Sequence, residues 1–259
     1  MHGTRSGRPH SGGCPLTRRL FAIFLASVWL LHGTATARAA EDDSCPTAPI
    51  PSFRLPVTKA AVAAGRPVVV VALGSSSSRG AAASDPAHSY PAVLQVELSM
   101  LLPRLAVSVV NRGNDGEDAT QELARLGTDV IAVRPQLVIW QVGANGALRG
   151  TDPSVFRSLV TAGVTLVADA GADVILMDNQ RAPQILHASA RVAIEAAVAD
   201  VARATNVSLF SRGAIMDIWR DRGFGYELFV GPDGLHHNDR GYRCIAKALS
   251  RAISAAVAP

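Results

Sequence analysis

One stretch limits what this chain can fold into: VVVVALGSSSSRG, residues 68–80, preceded by Pro67. Five of the six residues from Val68 to Leu73 are Val or Leu, and the sixth is Ala72. β-Branched side chains favour extended backbone, and an apolar run without polar alternation is buried on both faces, as at the centre of a parallel sheet. The run breaks at Gly74 into four serines and closes with Arg79 and Gly80. Open parallel sheets bind their ligands just past the C-terminal edges of their strands. The serines therefore fall where a hydroxyl can be presented on a tight turn at the mouth of a cleft. A serine-rich loop with no chemistry fits the same pattern, so the rest of the chain has to decide.

Downstream, the pattern alternates. Further strands are expected at Leu105–Val110, Leu137–Val142, Val174–Met177 and Val207–Phe210. Helices are expected at Tyr90–Leu102, from Asp118 to about Leu126, from Asp152-Pro153 to about Ala170, at Ile185–Ala204, Ala214–Arg220 and Gly241–Val257. Asp152 followed by Pro153 is a cap followed by proline in the first turn. Regular alternation of strands and helices predicts a three-layer α/β/α sandwich: a flavodoxin-like parallel sheet of about five strands, flanked by helices. Residues 67–259 read as one domain. Residues 41–66, with Pro46, Pro49, Pro51 and Pro56, read as an irregular N-terminal arm.

The first 40 residues are of another kind. Arg5, Arg8, Arg18 and Arg19 precede the apolar core Leu20–Leu31, and Ala37-Arg38-Ala39 offers a small-residue cleavage site. This is the pattern of a secretory signal, too short for a comfortable membrane span. Thr17-Arg18-Arg19-Leu20-Phe21 resembles a bacterial twin-arginine export signal. Cleavage near Ala39 implies a periplasmic or secreted protein with no stable membrane insertion. The formal charge of +4 then misleads, because five arginines and no acidic residue lie in residues 1–40; the remainder carries 20 basic against 21 acidic residues. A balance of −1 gives no electrostatic reason to expect nucleic acid. Cys45 and Cys244 remain after cleavage, and an even pair in an oxidising compartment predicts a disulfide, the alternative being two buried thiols. Neither has metal-site or redox spacing, and no metal or organic cofactor is expected.

Three loops follow the first three strands: Gly74–Ser78, Asn111–Gly116 and Gly143–Gly146. A parallel sheet puts all three at one edge. A fourth, Asp178-Asn179-Gln180, follows the fourth strand, and Asp233-Gly234-Leu235-His236-His237-Asn238 precedes the last helix. Acyl transfer needs a nucleophile, a base and a group that orients the base. A serine hydroxyl is a poor nucleophile until an imidazole takes its proton, and Asp233 and His236, three apart, can meet within one turn. The oxyanion needs donors, for which the Gly116 N–H and the Asn145 amide are well placed.

In these blocks the chain resembles the SGNH or GDSL hydrolase superfamily of serine esterases and lipases, from about Pro67 to Val257. Gly74-Ser75-Ser76-Ser77-Ser78 aligns with Gly-Asp-Ser-x-[Ser/Thr], with Ser75 in place of the aspartate. Asn111 to Gly116 matches Asn-x-Gly-x-x-Gly; Gly143-Ala144-Asn145 matches Gly-x-Asn-Asp, with Gly146 for the last residue; Asp233 and His236 match Asp-x-x-His. The resemblance implies Ser76 as nucleophile, with Ser75 and Ser77 as nearest competitors. It implies His236 as base, Asp233 as its orienting carboxylate, and Ser76, Gly116 and Asn145 as the oxyanion hole. His237 is the decoy, expected at the surface or in a cap. Asn179, Gln180 and Arg149 are candidates for the substrate rim, the alternative for the first two being a hydrogen-bonded loop.

The function this implies is that of an exported esterase acting on a small-molecule or polysaccharide acyl ester, with a short acyl group on a carbohydrate favoured because no long apolar lid segment is visible. An acyltransferase using the same acyl-enzyme, or a non-catalytic carbohydrate-binding protein on the same fold, stays open. Nucleotide binding has no support, since neither GxGxxG nor GxxxxGK[ST] is present.

Overall fold

Strand pairing follows the hydrophobic runs. The computed structural model describes residues 44–258, and the expected signal segment 1–40 lies outside the described residues. Five strands, β1 (Val68–Gly74), β2 (Val107–Gly113), β3 (Leu137–Gln141), β4 (Asp173–Met177) and β5 (Ser208–Phe210), form one sheet in the order β2-β1-β3-β4-β5. Every pairing is parallel. The helices in chain order are α1 (Pro56–Ala63), α2 (Ser76–Arg79), α3 (Tyr90–Leu101), α4 (Ala119–Ala124), α5 (Leu126–Asp129) and α6 (Ala144–Arg149). They continue with α7 (Pro153–Asp169), α8 (Pro183–His187), α9 (Arg191–Ala204), α10 (Arg212–Asp221) and α11 (Asp239–Val257).

All of β1 except Val69 is buried, as its unbroken apolar run requires. Its side chains alternate between two cores. Val70 and Ala72 pack with Leu94 and Leu98 of α3 and with Ile245 and Leu249 of α11. Val71 and Leu73 pack with Val160 and Val164 of α7 and with Ile194 and Val198 of α9. The result is the expected three-layer α/β/α sandwich.

The exposed edge of β2 is closed by a side chain. Gln95 on α3 donates from Nε2 to the Val107 carbonyl (2.7 Å) and accepts the Val109 N–H at Oε1 (2.6 Å), so one amide imitates a neighbouring strand.

Several elements differ from the sequence expectation. The arm is not irregular throughout: α1 forms within it. Val57 N–H, Thr58 N–H and the Thr58 hydroxyl all donate to the Asp173 carboxylate at the start of β4 (3.2, 2.7 and 2.7 Å). β2 begins later than expected and runs through Asn111-Arg112-Gly113, because these residues pair with Ala72, Leu73 and Gly74. The ladder overrides their turn propensity. The alanine-rich stretch expected as one helix from Ile185 is two helices, broken at Ala188–Ala190. α8 is held separately, since Gln184 donates its N–H to the Gly234 carbonyl (3.0 Å) and its side-chain amide to the Asp233 carbonyl (2.8 Å).

The expected disulfide is present: Cys45 is bonded to Cys244, with Cα atoms 5.2 Å apart. Among the described residues no helix is long and apolar enough to cross a membrane.

Candidate active site

The chain leaves β1 through Gly74, whose φ of +155° and crowded surroundings exclude a side chain: a Cβ there would lie 2.4 Å from Ser78 Oγ and 2.8 Å from the Gln141 carbonyl. Ser76 is the first residue of the one-turn α2, which ends at Gly80 in the left-handed region. Gly113 lets that turn approach β2, since a Cβ at 113 would sit 2.1 Å from the Arg79 nitrogen. Asn111 clamps the same turn by donating to the Ser78 carbonyl (2.9 Å).

On the other side, the loop before α11 brings in Asp233 and His236. Ser76 Oγ lies 2.7 Å from His236 Nε2, and His236 Nδ1 lies 2.6 Å from Asp233 Oδ2. The carboxylate accepts at Nδ1, so the proton resides there and Nε2 is left to accept from the serine hydroxyl. Asp233 Oδ1 also accepts the N–H groups of Leu235 and His236 (3.0 Å each). Partial burial pushes the Asp233 carboxyl upward, but its hydrogen bonds from His236 and these two amides outweigh that, and its pKa falls below the ordinary value.

The loop that carries Gly116 is held from both sides of that glycine. Asp115 pairs with Arg79 of α2, and the Glu117 carbonyl accepts from Asn145 Nδ2 (2.7 Å). That bond uses one amide hydrogen of Asn145 and leaves the other uncommitted. Gly116 has φ +72°, and its N–H and that of Ser76 have no acceptor among the described residues. Ser75, Ser76, Ala144, Asn145, Leu148 and His236 border a narrow cleft with about 10 Å³ of open space, to which Leu235 adds an apolar wall. Asn145 reaches it from the first turn of α6, a helix not expected from the sequence. A larger groove of about 520 Å³ lies elsewhere, lined by Lys59, Val62, Leu102, Arg104 and Val257 among others, with no nucleophile or acid–base pair in its walls.

The other candidates are placed differently. Ser75 is buried with its N–H and hydroxyl both 3.4 Å from Gln141 Oε1, and Ser77 is buried. Of the rim candidates, Gln180 lines the cleft, although it has no solvent exposure and its amide is engaged by Leu235 and Arg212. Asn179 is buried against Gly143, where an added Cβ would come within 3.1 Å of its Oδ1. Arg149 is exposed but committed, donating to Asp118 (2.7 Å) and to the Gly116 carbonyl (2.5 Å). His237 is neither at the surface nor a cap. It is buried edge-on to Tyr242 and bonded through Nδ1 to the Phe229 carbonyl (3.0 Å), and burial drives its pKa down to about 3.

Two side chains absent from the sequence reading organise the edge. Arg125 donates to the Gly74 and Arg112 carbonyls (3.1 and 2.8 Å), to Glu117 (2.6 Å) and to Asp129 (2.9 Å), tying the ends of β1 and β2 to the Gly116 loop. Glu122, on the helix that this loop enters, is buried and accepts from Trp140 Nε1 (2.7 Å). Burial raises its pKa to about 8, against the lowering effects of the Trp140 bond and Arg125.

An acid whose folded pKa is raised binds more protons folded than unfolded. Glu122 therefore costs stability progressively as pH rises from its unfolded value to about 8. Glu122→Gln keeps an acceptor for Trp140. It is expected to match the parent near pH 4.5 and to exceed it by on the order of 2 kcal/mol at pH 8 in urea titrations. Parallel stability curves over that range would refute the assignment.

Comparisons with known proteins agree with this architecture. A stretch of 77 residues is 35% identical to an arylesterase of Vibrio mimicus, covering 30% of this chain and 38% of that protein. The fold is similar to that of a two-domain esterase active on acetylated mannans (TM-score 0.68, 19% identity, 80% of this chain and 55% of that one). It is also similar to an acetylxylan esterase from Geobacillus stearothermophilus (TM-score 0.61, 20% identity, 72% of this chain and 94% of that one). At these identities the structural likenesses concern the fold, and the chain spans about half or less of the length of the first two proteins. Residues 44–259 match the Non-GDSL lipase-like family, and the chain belongs to that family.

Proposed function

We propose that this protein is an exported serine esterase that hydrolyses short-chain acyl esters, with acylated carbohydrate as the favoured substrate class. The observation that carries the reading is the continuous line from Ser76 Oγ through His236 to Asp233, with contacts of 2.7 and 2.6 Å. Ser76 Oγ attacks the acyl carbonyl as His236 Nε2 takes its proton, and Asp233 stabilises the imidazolium. The uncommitted N–H groups of Ser76 and Gly116 and the free amide hydrogen of Asn145 receive the oxyanion. His236 returns its proton to the leaving alcohol. Water then clears the acyl-enzyme by the same route. Ser75 stands where the resembling superfamily has aspartate, and its burial and contact with Gln141 support a role in loop packing rather than in proton transfer.

The narrow cleft, walled by Ala144, Leu148 and Leu235, favours a small acyl group. The acetylated mannans and acetylxylan named for two structurally similar esterases favour a carbohydrate alcohol. The Cys45–Cys244 disulfide favours an oxidising compartment, periplasmic or extracellular.

Intact-mass analysis after treatment with a fluorophosphonate should give one adduct, lost in Ser76→Ala. p-Nitrophenyl acetate should exceed the octanoate ester in kcat/KM by at least about tenfold, because so narrow a cleft has no room for added methylenes. No adduct on folded protein would overturn the enzyme reading. Equal turnover of both esters would overturn the short-acyl one.

A further inference from the structure

Arg212 is a charged side chain with no solvent exposure, at the start of α10 and directly behind the cleft. A buried guanidinium is costly unless its donors are used. Two of its three nitrogens are used. Nε donates to the Asp178 carbonyl (2.7 Å), and Nη2 donates to Gln180 Oε1 (2.9 Å). Neighbours in sequence brace the same loop: the Ser211 hydroxyl donates to Asp178 Oδ2 (2.5 Å) and the Gly213 N–H to Oδ1 (3.2 Å). Gln180 passes the constraint on, for its Nε2 donates to the Leu235 carbonyl (2.7 Å), one residue before His236.

We propose that Arg212 is a positioning residue for His236, acting through the orientation of the Gln180 amide. A side-chain amide can be turned either way, with its oxygen and nitrogen exchanged. Arginine has only donors, so it accepts the amide in one sense alone: oxygen towards Arg212, nitrogen towards Leu235. Without Arg212 that sense is held by the Leu235 carbonyl alone, and the reversed amide, which sets two acceptors face to face, is reached more often. The loop then yields, and with it the 2.7 Å contact between His236 and Ser76. Arg212 touches neither substrate nor reacting atoms in this scheme. The inference rests on the esterase reading for its consequence, but the rate at which Ser76 is phosphonylated reports the positioning whatever the natural ester is.

The experiment measures phosphonylation rate constants of Ser76 by a fluorophosphonate for wild type, Gln180→Met, Arg212→Met and the double variant, each with a thermal melt. Gln180→Met keeps the volume and removes the relay. Its rate is expected to fall about ten- to a hundredfold, the range that a misplacement of about 1 Å produces. Arg212→Met should fall similarly, and the double variant should fall no further than Gln180→Met alone. Arg212→Lys, which cannot reach both acceptors with a planar fork, stands in if Arg212→Met does not fold, and it should show the same lack of further effect in the Gln180→Met background. Asp173→Asn loosens α1 far from the site. It lowers the melting temperature and leaves the rate unchanged, which separates positioning from general destabilisation. Unlabelled wild type would defeat the esterase reading itself. Labelled wild type with an undiminished Gln180→Met rate, or with additive losses in the double variant, would overturn the positioning role.

Discussion

Ser76→Ala is expected to lower kcat towards p-nitrophenyl acetate by about 10⁴- to 10⁶-fold, with little change in melting temperature, since the serine hydroxyl is replaced in a partly buried site that opens on the cleft. No neighbour can take over. Ser75 is buried on Gln141 and Ser77 is buried within the turn. His236→Ala should cost about as much, and the double variant no more than either single, because the nucleophile and its base work as one unit.

Asp233→Asn has a more particular consequence. The carboxylate serves His236 Nδ1 with one oxygen and two backbone N–H groups with the other. An amide can keep only one of these roles. If its oxygen stays on the backbone amides, its nitrogen faces Nδ1, and the imidazole shifts its proton to Nε2, the tautomer that cannot accept from Ser76. A loss of about 10²- to 10⁴-fold follows, with the fold retained. Initial rates at saturating ester, with the melt recorded on the same preparation, decide the matter. Ser76→Ala retaining more than a few per cent of parental kcat would eliminate Ser76 as nucleophile.

What could be read beforehand was what local pattern encodes. Val68–Leu73 could only be a doubly buried strand, and Asp233 and His236 were close enough along the chain to meet without knowledge of the fold. Asn145 borders the cleft, as its place after β3 implies, although the helix that carries it is not apparent in the sequence. Gln180 stands at the correct edge of the sheet, but that edge has an interior, and a polar residue there can fasten a loop while it lines the cleft. Its hydrogen bonding depends on Arg212, more than thirty residues away. Nothing near Arg212 marks it as buried: it opens an amphipathic helix where an arginine reads as surface. The same holds for Arg125, whose acceptors on β1 and β2 are brought together only by the parallel ladder. Long-range polar contacts carry no periodicity, so no pattern along the chain announces them.

The disulfide should carry the largest single share of stability attached to one bond. Cys45 and Cys244 are 199 residues apart, so the bridge closes nearly the whole described chain into one loop. By the chain-entropy argument a loop of this length removes roughly 5 kcal/mol of unfolded-state freedom. The arm has other ties as well. Arg222 donates to the Thr47 carbonyl and hydroxyl (2.7 Å each), and the Arg54 N–H donates to Ser208 Oγ (2.9 Å). These hold the folded arm in place after the bridge is lost, but they leave the unfolded chain unconstrained, which is where the bridge acts. Cys45→Ser with Cys244→Ser is therefore expected to lower the unfolding free energy by about 3–5 kcal/mol in urea titrations. The melting temperature should fall by about 10 °C. Reduced wild type should match the double variant. Ester turnover at 25 °C should stay within about twofold, because the triad's contacts do not pass through the bridge and the cost falls on the unfolded state. If the double variant lost turnover in step with stability, α11 would need the bridge to hold the His236 loop in place, and the effect would belong to the native state.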